Sequence, residues 1–183
     1  MLLILDVDET LIHATKMPLA QPADFHIADF HVYQRPYLVE FIRQLHVHYT
    51  LAIWSSASDA YVEAVIGEIM PKDVELAFVW GRSRCTYRRS MKTDLYGHFS
   101  EPDRYVKPLK KLKRLGYPLE RMLIVDDSPH KSAANYGNAI YPKKFLGDPA
   151  DDELLYLASY LLRLKDEANV RLIEKRNWRK EIE

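Results

Sequence analysis

Short apolar runs alternate along the chain with segments whose apolar residues recur every three or four positions. Each apolar run ends on polar residues or on glycine, which is typical of strands buried on both faces of a parallel sheet. The predicted strands cover 2–5, 49–54, 76–80 and 122–125. Helical spacing follows Pro36 and covers 59–70 and 107–115. This alternation predicts an α/β fold, a Rossmann-like open parallel sheet flanked by helices, with right-handed crossovers.

Two segments interrupt the alternation. In the first, the apolar residues of 25–27 and 30–32 alternate at period two, which predicts a strand or a short hairpin. The second begins at Arg82 and carries five basic residues before its first acid, Asp94. Its Thr, Tyr and Phe content predicts a small inserted β element at about 81–106. The segment from about 151 to 183 is predicted to be helical, with its basic residues on a solvated face, and the whole of 1–183 is predicted to be one domain.

Composition excludes several classes of protein. The chain has 183 residues, with 26 Lys and Arg against 26 Asp and Glu. Its formal net charge is therefore zero and would not attract nucleic acid or an anionic membrane. A single cysteine, Cys85, excludes a disulfide framework and a cysteine-only zinc site. No apolar run approaches the roughly 18 residues of a membrane span, and the first residues lack the basic start of a signal peptide. We therefore expect a cytoplasmic protein without membrane partners.

Acidic residues follow two of the predicted strands. Asp6 and Asp8 come directly after the first strand, and Asp126 and Asp127 follow the strand at 122–125. Open α/β sheets bind ligands beyond the carboxyl ends of their strands, so these four acids are expected at one edge. Two unit charges about 4 Å apart repel by about 4 kcal/mol at an effective dielectric near 20, so the cluster needs a cation. Oxygen ligands in this number indicate Mg²⁺.

The order of these motifs resembles a known superfamily. The residues 6–10, Ser55, Lys107 and 126–127 resemble, in order and placement, the four motifs of the haloacid dehalogenase (HAD) superfamily. The segments 8–13, 35–36, 105–107 and 125–129 are similar to the phosphatases of the RNA polymerase II C-terminal domain, the NLI-interacting-factor type. The likeness extends to about residue 165 and implies a HAD-like fold and phosphomonoester hydrolysis.

The resemblance also implies roles for single residues. Asp6 would be the nucleophile that forms an aspartyl-phosphate, and Asp8 would be the general acid and then the general base. Lys107 would offset charge on the phosphoryl group and on Asp6, and Ser55 would donate a hydrogen bond to a phosphoryl oxygen. Because Ser56 follows directly, either hydroxyl could serve.

Metal and loop roles follow from the same likeness. The resemblance implies that Mg²⁺ is held by Asp6, the main-chain carbonyl of Asp8, and Asp126. Asp127 is a further ligand or a neighbour of the ligands, with a bracing role equally compatible. Thr10 is expected to brace the loop and is a candidate substrate contact.

The substrate is less defined by the sequence. A small insertion leaves the catalytic edge open, which favours a bulky substrate, so we expect a protein serine/threonine or tyrosine phosphatase acting on a phosphorylated protein or peptide. The basic cluster of the insertion could contact the substrate, or it could be solvated loop charge; its candidate residues are Arg82, Arg84, Arg88 and Arg89. Two alternatives are a phosphatase of nucleic-acid ends or nucleotides and a non-catalytic peptide-binding module. The oligomeric state has no signal in the sequence.

Overall fold

A computed structural model of the protein describes residues 1–89 and 104–182. Its strands are, in chain order, β1 (Leu2–Leu5), β2 (Ile12–Thr15), β3 (Phe25–Ile27), β4 (Phe30–Gln34), β5 (Thr50–Trp54), β6 (Leu76–Trp80), β7 (Thr86–Arg88), β8 (Arg104–Val106), β9 (Met122–Val125) and β10 (Ala139–Ile140). The α-helices are α1 (Leu38–His46), α2 (Asp59–Ile69), α3 (Pro129–Ser132) and α4 (Glu153–Leu164). Short 3-10 helices cover Arg82–Arg84, Leu109–Leu115, Leu119–Arg121, Ala133–Asn138, Val170–Leu172 and Trp178–Glu181.

The central sheet contains five parallel strands in the order β10–β9–β1–β5–β6. β1 lies in the middle and pairs with β5 on one side and β9 on the other. All four apolar runs of the sequence are strands of this sheet, which confirms the predicted open parallel α/β fold. β10 is too short to give a strand signal of its own.

Alternate residues of β1 enter two different cores. Leu3 and Leu5 pack with the apolar faces of α1, α2 and α4. Leu2 and Ile4 belong to a smaller core on the other face, which includes residues of the 3-10 helix Leu109–Leu115. Because both faces are covered, the strand reads as a continuous apolar run. This burial fixes the position of the strand's carboxyl end, where the polar residues begin.

A small antiparallel sheet lies beside the start of the chain. Its strand order is β2–β4–β3, and β3 and β4 form the hairpin that period-two alternation predicted. Ala28 has a positive φ of 49° in the turn between these strands. α2 contacts β3, so the hairpin is held close to the end of β5.

The predicted insertion contains a second hairpin-like pairing. β7 and β8 pair antiparallel, with Tyr87 opposite Tyr105. Part of the predicted insertion, including Lys92 and Asp94, lies outside the described residues. The assignment of 1–183 to one domain remains a prediction.

Two helix predictions were only partly correct. The segment 107–115 is a 3-10 helix that begins only at Leu109, because the residue before a proline is disfavoured from the helical conformation and Pro108 itself is extended, with ψ of 106°. The tail is α-helical only to Leu164. Beyond it, Lys175 is buried and donates to main-chain carbonyls, so the expected solvated helix is wrong here. Within residues 1–89 and 104–182, the helices are all too short or too polar to cross a membrane.

Candidate active site

Three polar residues directly follow the ends of three neighbouring strands. Asp6, Ser55 and Asp126 are the first residues after β1, β5 and β9. Main-chain hydrogen bonds continue the strand pairing through them, from Asp6 N to Val125 O at 2.9 Å and from Ser55 N to Trp80 O at 2.9 Å. The sheet therefore fixes the backbone of all three at one edge.

Three carboxylates form a buried cluster at this edge. One oxygen from each of Asp6, Asp126 and Asp127 lies within 4.8 Å of the others. All three side chains are buried. The ammonium group of Lys107, fully buried, lies 2.7 Å from Asp6 Oδ1 and 2.6 Å from Asp126 Oδ2. The structure thus brings together the predicted nucleophile, the predicted motif lysine and two predicted metal ligands.

A second lysine enters the cluster from the short helix α3. Lys131 Nζ lies 3.0 Å from Asp6 Oδ2, 3.7 Å from Asp126 Oδ1 and 3.8 Å from Asp127 Oδ1. Sequence reasoning missed this residue. Its signal was its position four residues after Asp127, one helical turn away, which brings the two side chains to the same side.

Burial and charge act in opposite directions on the cluster. Burial raises the pKa of Asp6, but the charges of Lys107 and Lys131 outweigh it and hold that pKa below its usual value. For Asp126, burial and the neighbouring Asp6 charge raise the pKa. For Lys131, burial lowers the pKa, but Asp6 and Asp126 reverse the effect and raise it. Asp6 is therefore ionised at neutral pH, as a nucleophile needs.

The carboxylate of Asp8 is not part of this cluster and contacts Tyr61 and Ser55 instead. A tight loop follows Asp6, in which Leu11 N donates to Val7 O at 2.8 Å and Glu9 has a positive φ of 57°. The hydroxyl of Tyr61, on α2, donates to Asp8 Oδ1 at 2.8 Å. Burial raises the pKa of Asp8, and the Tyr61 hydrogen bond opposes this shift. Asp8 therefore favours its protonated form more than an exposed carboxyl does. Tyr61 was not among the predicted site residues, because no motif or spacing pointed to it.

The hydroxyl residues differ in their access to the site. Ser55 Oγ lies 3.4 Å from Asp8 Oδ2 and accepts from Ala57 N at 3.0 Å. Ser56 contributes its main-chain carbonyl, which accepts from Arg82 Nε at 2.9 Å. Thr10 is buried, and its Oγ1 accepts from Asp127 N at 3.2 Å. Thr10 therefore joins two loops of the site, as expected of a bracing residue, and its candidate role as a substrate contact stays a prediction.

The arginines of the insertion do not gather at the carboxylates. Arg82 lines a cleft together with Asp8, and its guanidinium lies 5.2 Å from the ring centre of Tyr105. Arg84 packs over Trp80 in a separate depression. Arg88 and Arg89 are exposed, at the point where the described residues break off. Of the four candidates, Arg82 is the one that shares a cleft with the predicted acid.

A buried arginine braces the loop that carries the first acids. Arg35 binds Asp151 through Nε at 2.7 Å and Nη2 at 2.9 Å. The same guanidinium donates to Thr10 O and to Lys143 O, each at 3.0 Å. Its side chain is fully buried, while that of Asp151 is 15% exposed. Arg35 therefore ties the loop after β1 to the segment that precedes α4.

The donor set fits a hard divalent cation. The three clustered side chains offer only carboxylate oxygens, the ligands that Mg²⁺ prefers. Among the described residues, Asp127 Oδ1 is buried and accepts no hydrogen bond. A buried carboxylate oxygen without a donor is stabilised when a cation is bound beside it. Asp6, Asp126 and Asp127 could therefore hold Mg²⁺.

Comparison with known proteins gives the family. Residues 1–171 match the family model described as NLI interacting factor-like phosphatase. This chain belongs to that family. The resemblance drawn from the motifs is therefore confirmed, and the match covers every residue of the candidate site. Several relatives of this NLI interacting factor-like protein are named phosphatases.

Two relatives illustrate the extent of the likeness. CTD small phosphatase-like protein 2 of Dictyostelium discoideum is 27% identical over 176 residues, which are 92% of this chain and 28% of that protein. CTD nuclear envelope phosphatase 1B of Danio rerio is 27% identical over 191 residues, which are 96% of this chain and 71% of that protein. The NLI interacting factor-like chain thus spans less than a third of the first of these relatives.

Solved structures support the fold. Fcp1, described as an essential RNA polymerase II CTD phosphatase, matches with a TM-score of 0.67 at 16% identity, over 93% of this chain and 68% of that one. A haloacid dehalogenase-like hydrolase from Bacteroides fragilis matches with a TM-score of 0.51 at 14% identity, over 84% of this chain and 91% of that one. The NLI interacting factor-like protein therefore has the HAD-like fold that its motifs predicted.

Proposed function

We propose that this protein is a Mg²⁺-dependent phosphomonoester hydrolase that acts through an aspartyl-phosphate on Asp6. The observation that carries the proposal is the environment of the Asp6 carboxylate, which lies at a strand end between the ammonium groups of Lys107 and Lys131. An ionised carboxylate is a ready nucleophile, and buried positive charge stabilises a transferring phosphoryl group.

In the first step, a carboxylate oxygen of Asp6 attacks phosphorus. A bond forms between this oxygen and phosphorus, and the bond from phosphorus to the leaving oxygen breaks. Asp8 gives its proton to the leaving oxygen, so the product is an alcohol. Its raised pKa and its place outside the carboxylate cluster, where Tyr61 holds it, support this division of roles.

In the second step, water attacks the phosphorus of the aspartyl-phosphate. Asp8 accepts the proton of this water, the bond between Asp6 oxygen and phosphorus breaks, and inorganic phosphate leaves. Asp6 then returns to its carboxylate form. Ser55, 3.4 Å from Asp8 Oδ2, is proposed to donate to a phosphoryl oxygen in both steps.

The metal would be held by the carboxylates of Asp6, Asp126 and Asp127 and by the main-chain carbonyl of Asp8. When bound, Mg²⁺ neutralises negative charge on the phosphoryl oxygens. Lys107 does related work from its own position, because its ammonium group lies 2.7 Å from Asp6 Oδ1 and can approach the phosphoryl group attached there. It also offsets the charge of Asp126, 2.6 Å away.

The substrate class is proposed from the cleft beside Asp8. This cleft has a volume of about 660 Å³ and combines the acids Asp8 and Glu9 with apolar and aromatic residues and with Arg82. The apolar and aromatic lining consists of Ala14, Ile27, Ala28, Phe30, Ala57, Ala60 and Tyr61. Apolar side chains with few charges suit a peptide better than a nucleic-acid backbone, which needs several basic contacts. We therefore propose a phosphoprotein substrate, with phosphoserine or phosphothreonine preferred and phosphotyrosine possible by the same chemistry.

A panel of phosphorylated substrates tests the proposal. We expect phosphate release from phosphopeptides in the presence of Mg²⁺, and no release after EDTA treatment until Mg²⁺ is restored. Equal concentrations of 3′- and 5′-phosphorylated oligonucleotides serve as the comparison. A higher kcat/KM for oligonucleotides, falling steeply with salt, would contradict the phosphoprotein assignment while leaving the chemistry intact. Tight peptide binding without any turnover would instead favour a non-catalytic binding module.

Replacing Tyr61 with Phe tests how Asp8 is positioned. The Tyr61 hydroxyl holds one oxygen of Asp8, so its loss should leave the acid poorly aimed at the leaving oxygen. We expect kcat/KM for a phosphoserine peptide to fall about tenfold, a fraction of what general acid catalysis contributes. For p-nitrophenyl phosphate, whose leaving group needs little protonation, kcat/KM should change by less than about twofold.

The matched control is Tyr136→Phe, because that side chain is 75% exposed and makes no hydrogen bond to Asp8 in the described part of the chain. It should leave both substrates unaffected. An equal loss for both leaving groups in Tyr61→Phe would show that Tyr61 does not act through Asp8.

A further inference from the structure

The contacts of Lys131 coincide with those proposed for the metal. Its Nζ approaches one oxygen of Asp6, one of Asp126 and one of Asp127, at 3.0, 3.7 and 3.8 Å. These are the three residues whose oxygens cluster within 4.8 Å. The side chain of Lys131 is 15% exposed, so it reaches the cluster from the open side.

The two lysines that contact Asp6 and Asp126 use different oxygens; a third, Lys144, is 60% exposed and lies 3.4 Å from Asp127 Oδ2. Lys107 lies against Asp6 Oδ1 and Asp126 Oδ2, and it is fully buried beneath the carboxylates. Lys131 contacts Asp6 Oδ2 and Asp126 Oδ1. Unlike Lys107, it also lies near Asp127. Their backbones are joined, since Lys107 N donates to Lys131 O at 2.7 Å. The side chain of Lys107 is thus enclosed beneath the carboxylates. Lys131 has a fixed backbone, but its partly exposed side chain can move out of the cluster.

An ammonium group and a divalent cation compete for these oxygens. Mg²⁺ binds oxygen at about 2.0–2.1 Å, so an ion on Asp6 Oδ2 would lie no more than about 5 Å from a lysine that kept its 3.0 Å contact with that oxygen. Positive charges at that separation repel strongly in a partly buried site. The ammonium group of Lys131 must therefore move when Mg²⁺ binds, and its partly exposed side chain has a route to solvent.

We propose that Lys131 is a built-in counter-cation that occupies the metal position in the metal-free protein and is displaced by the incoming divalent ion. The inference rests on the proposed function, because it takes the carboxylate cluster as the metal site. Metal binding is then an exchange of one cation for another. The lysine keeps the metal-free pocket neutralised, and it weakens the apparent affinity for Mg²⁺.

Calorimetric titration of Mg²⁺ into EDTA-stripped protein tests the exchange. In Lys131→Met, which keeps the length of the side chain and removes its charge, we expect Mg²⁺ to bind at least about tenfold more tightly. Lys131→Arg keeps the charge and should bind Mg²⁺ no more tightly than the unsubstituted protein. Lys110→Met is the matched control, since Lys110 is exposed and lines a separate depression with Arg84, and it should change nothing.

Thermal unfolding gives a second readout that does not depend on activity. Without metal, Lys131→Met should melt at a lower temperature than the unsubstituted protein, because its carboxylates lose a neutralising charge. Mg²⁺ should raise the melting temperature of this variant by more than it raises that of the unsubstituted protein. If the variant does not fold without metal, its folding is followed by circular dichroism as Mg²⁺ is added, and the Mg²⁺ concentration at the midpoint replaces the melting temperature as the readout.

The outcomes separate the inference from the proposed function. Mg²⁺ affinity that is unchanged or weaker in Lys131→Met, with the unsubstituted protein binding normally, overturns the exchange and leaves the phosphatase proposal standing. Failure of both proteins to bind Mg²⁺ overturns both proposals. Binding that is detected in Lys131→Met and is weak in the unsubstituted protein supports the exchange.

Discussion

Replacing Asp6 with Asn is expected to reduce phosphate release by at least about a thousandfold, because the amide lacks the charged oxygen that attacks phosphorus. The amide has nearly the same size as the carboxylate, and Asp6 is held by the strand pairing of its main chain, so the fold should persist. The substitution also removes one charge from between Lys107 and Lys131 without emptying the pocket.

Two measurements check this expectation. Phosphate release from a phosphopeptide gives the rate, and intact-protein mass after rapid acid quenching shows whether a phosphoryl group is bound to the protein. The unsubstituted protein should show a transient phosphorylated species, and Asp6→Asn should show none. Asp73→Asn, at an exposed carboxylate, is the control and should behave like the unsubstituted protein. Robust turnover by Asp6→Asn would remove Asp6 from the role of nucleophile.

Replacing Arg35 with Met is expected to destabilise the protein by about 3–5 kcal/mol, the range for breaking a buried ion pair. The substitution leaves Asp151 without its bidentate partner and leaves the carbonyls of Thr10 and Lys143 without donors. For a chain of this size, the loss corresponds to a fall of roughly 10 °C in melting temperature.

Denaturant unfolding monitored by circular dichroism measures the loss in free energy of unfolding. Arg43→Met is the matched control, because the pair of Arg43 with Asp73 is more than half exposed, at 57% and 64%. It should change the free energy of unfolding by less than about 0.5 kcal/mol. Arg35→Lys should lie between the two, since lysine keeps the charge but cannot make the paired contacts of a guanidinium. Equal stability of Arg35→Met and Arg43→Met would show that the buried pair contributes nothing.

The fold could be predicted because its signals are local. The central strands read as apolar runs, and Asp6 and Asp126 directly follow two of them, so chain position located these two acids, and the family resemblance added Ser55. The motif order then implied Lys107, which the structure places against two of the three clustered carboxylates. The roles of these residues in catalysis remain proposals.

The missed residues depend on contacts between distant parts of the chain. Arg35 and Asp151 are 116 positions apart, and Tyr61 and Asp8 are 53 apart. An arginine or a tyrosine in a helix or a loop carries no sign of such a partner. Lys131 was closer to detection, but in the sequence a lysine near a helix start is usually solvated. The prediction of a solvated C-terminal helix failed for another reason. The helical composition of that segment is overridden by the burial of Val170, Lys175 and Trp178.

The β7–β8 ribbon is anchored at its base. Lys107 follows β8 directly and is fixed to Lys131 O, and Lys111 Nζ donates to the carbonyls of Arg84 and Cys85 just before β7. A change in the length or sequence of the chain beyond this base is therefore expected to leave Lys107 against its carboxylates. Such an arrangement would allow new specificities to arise on an unchanged chemical centre.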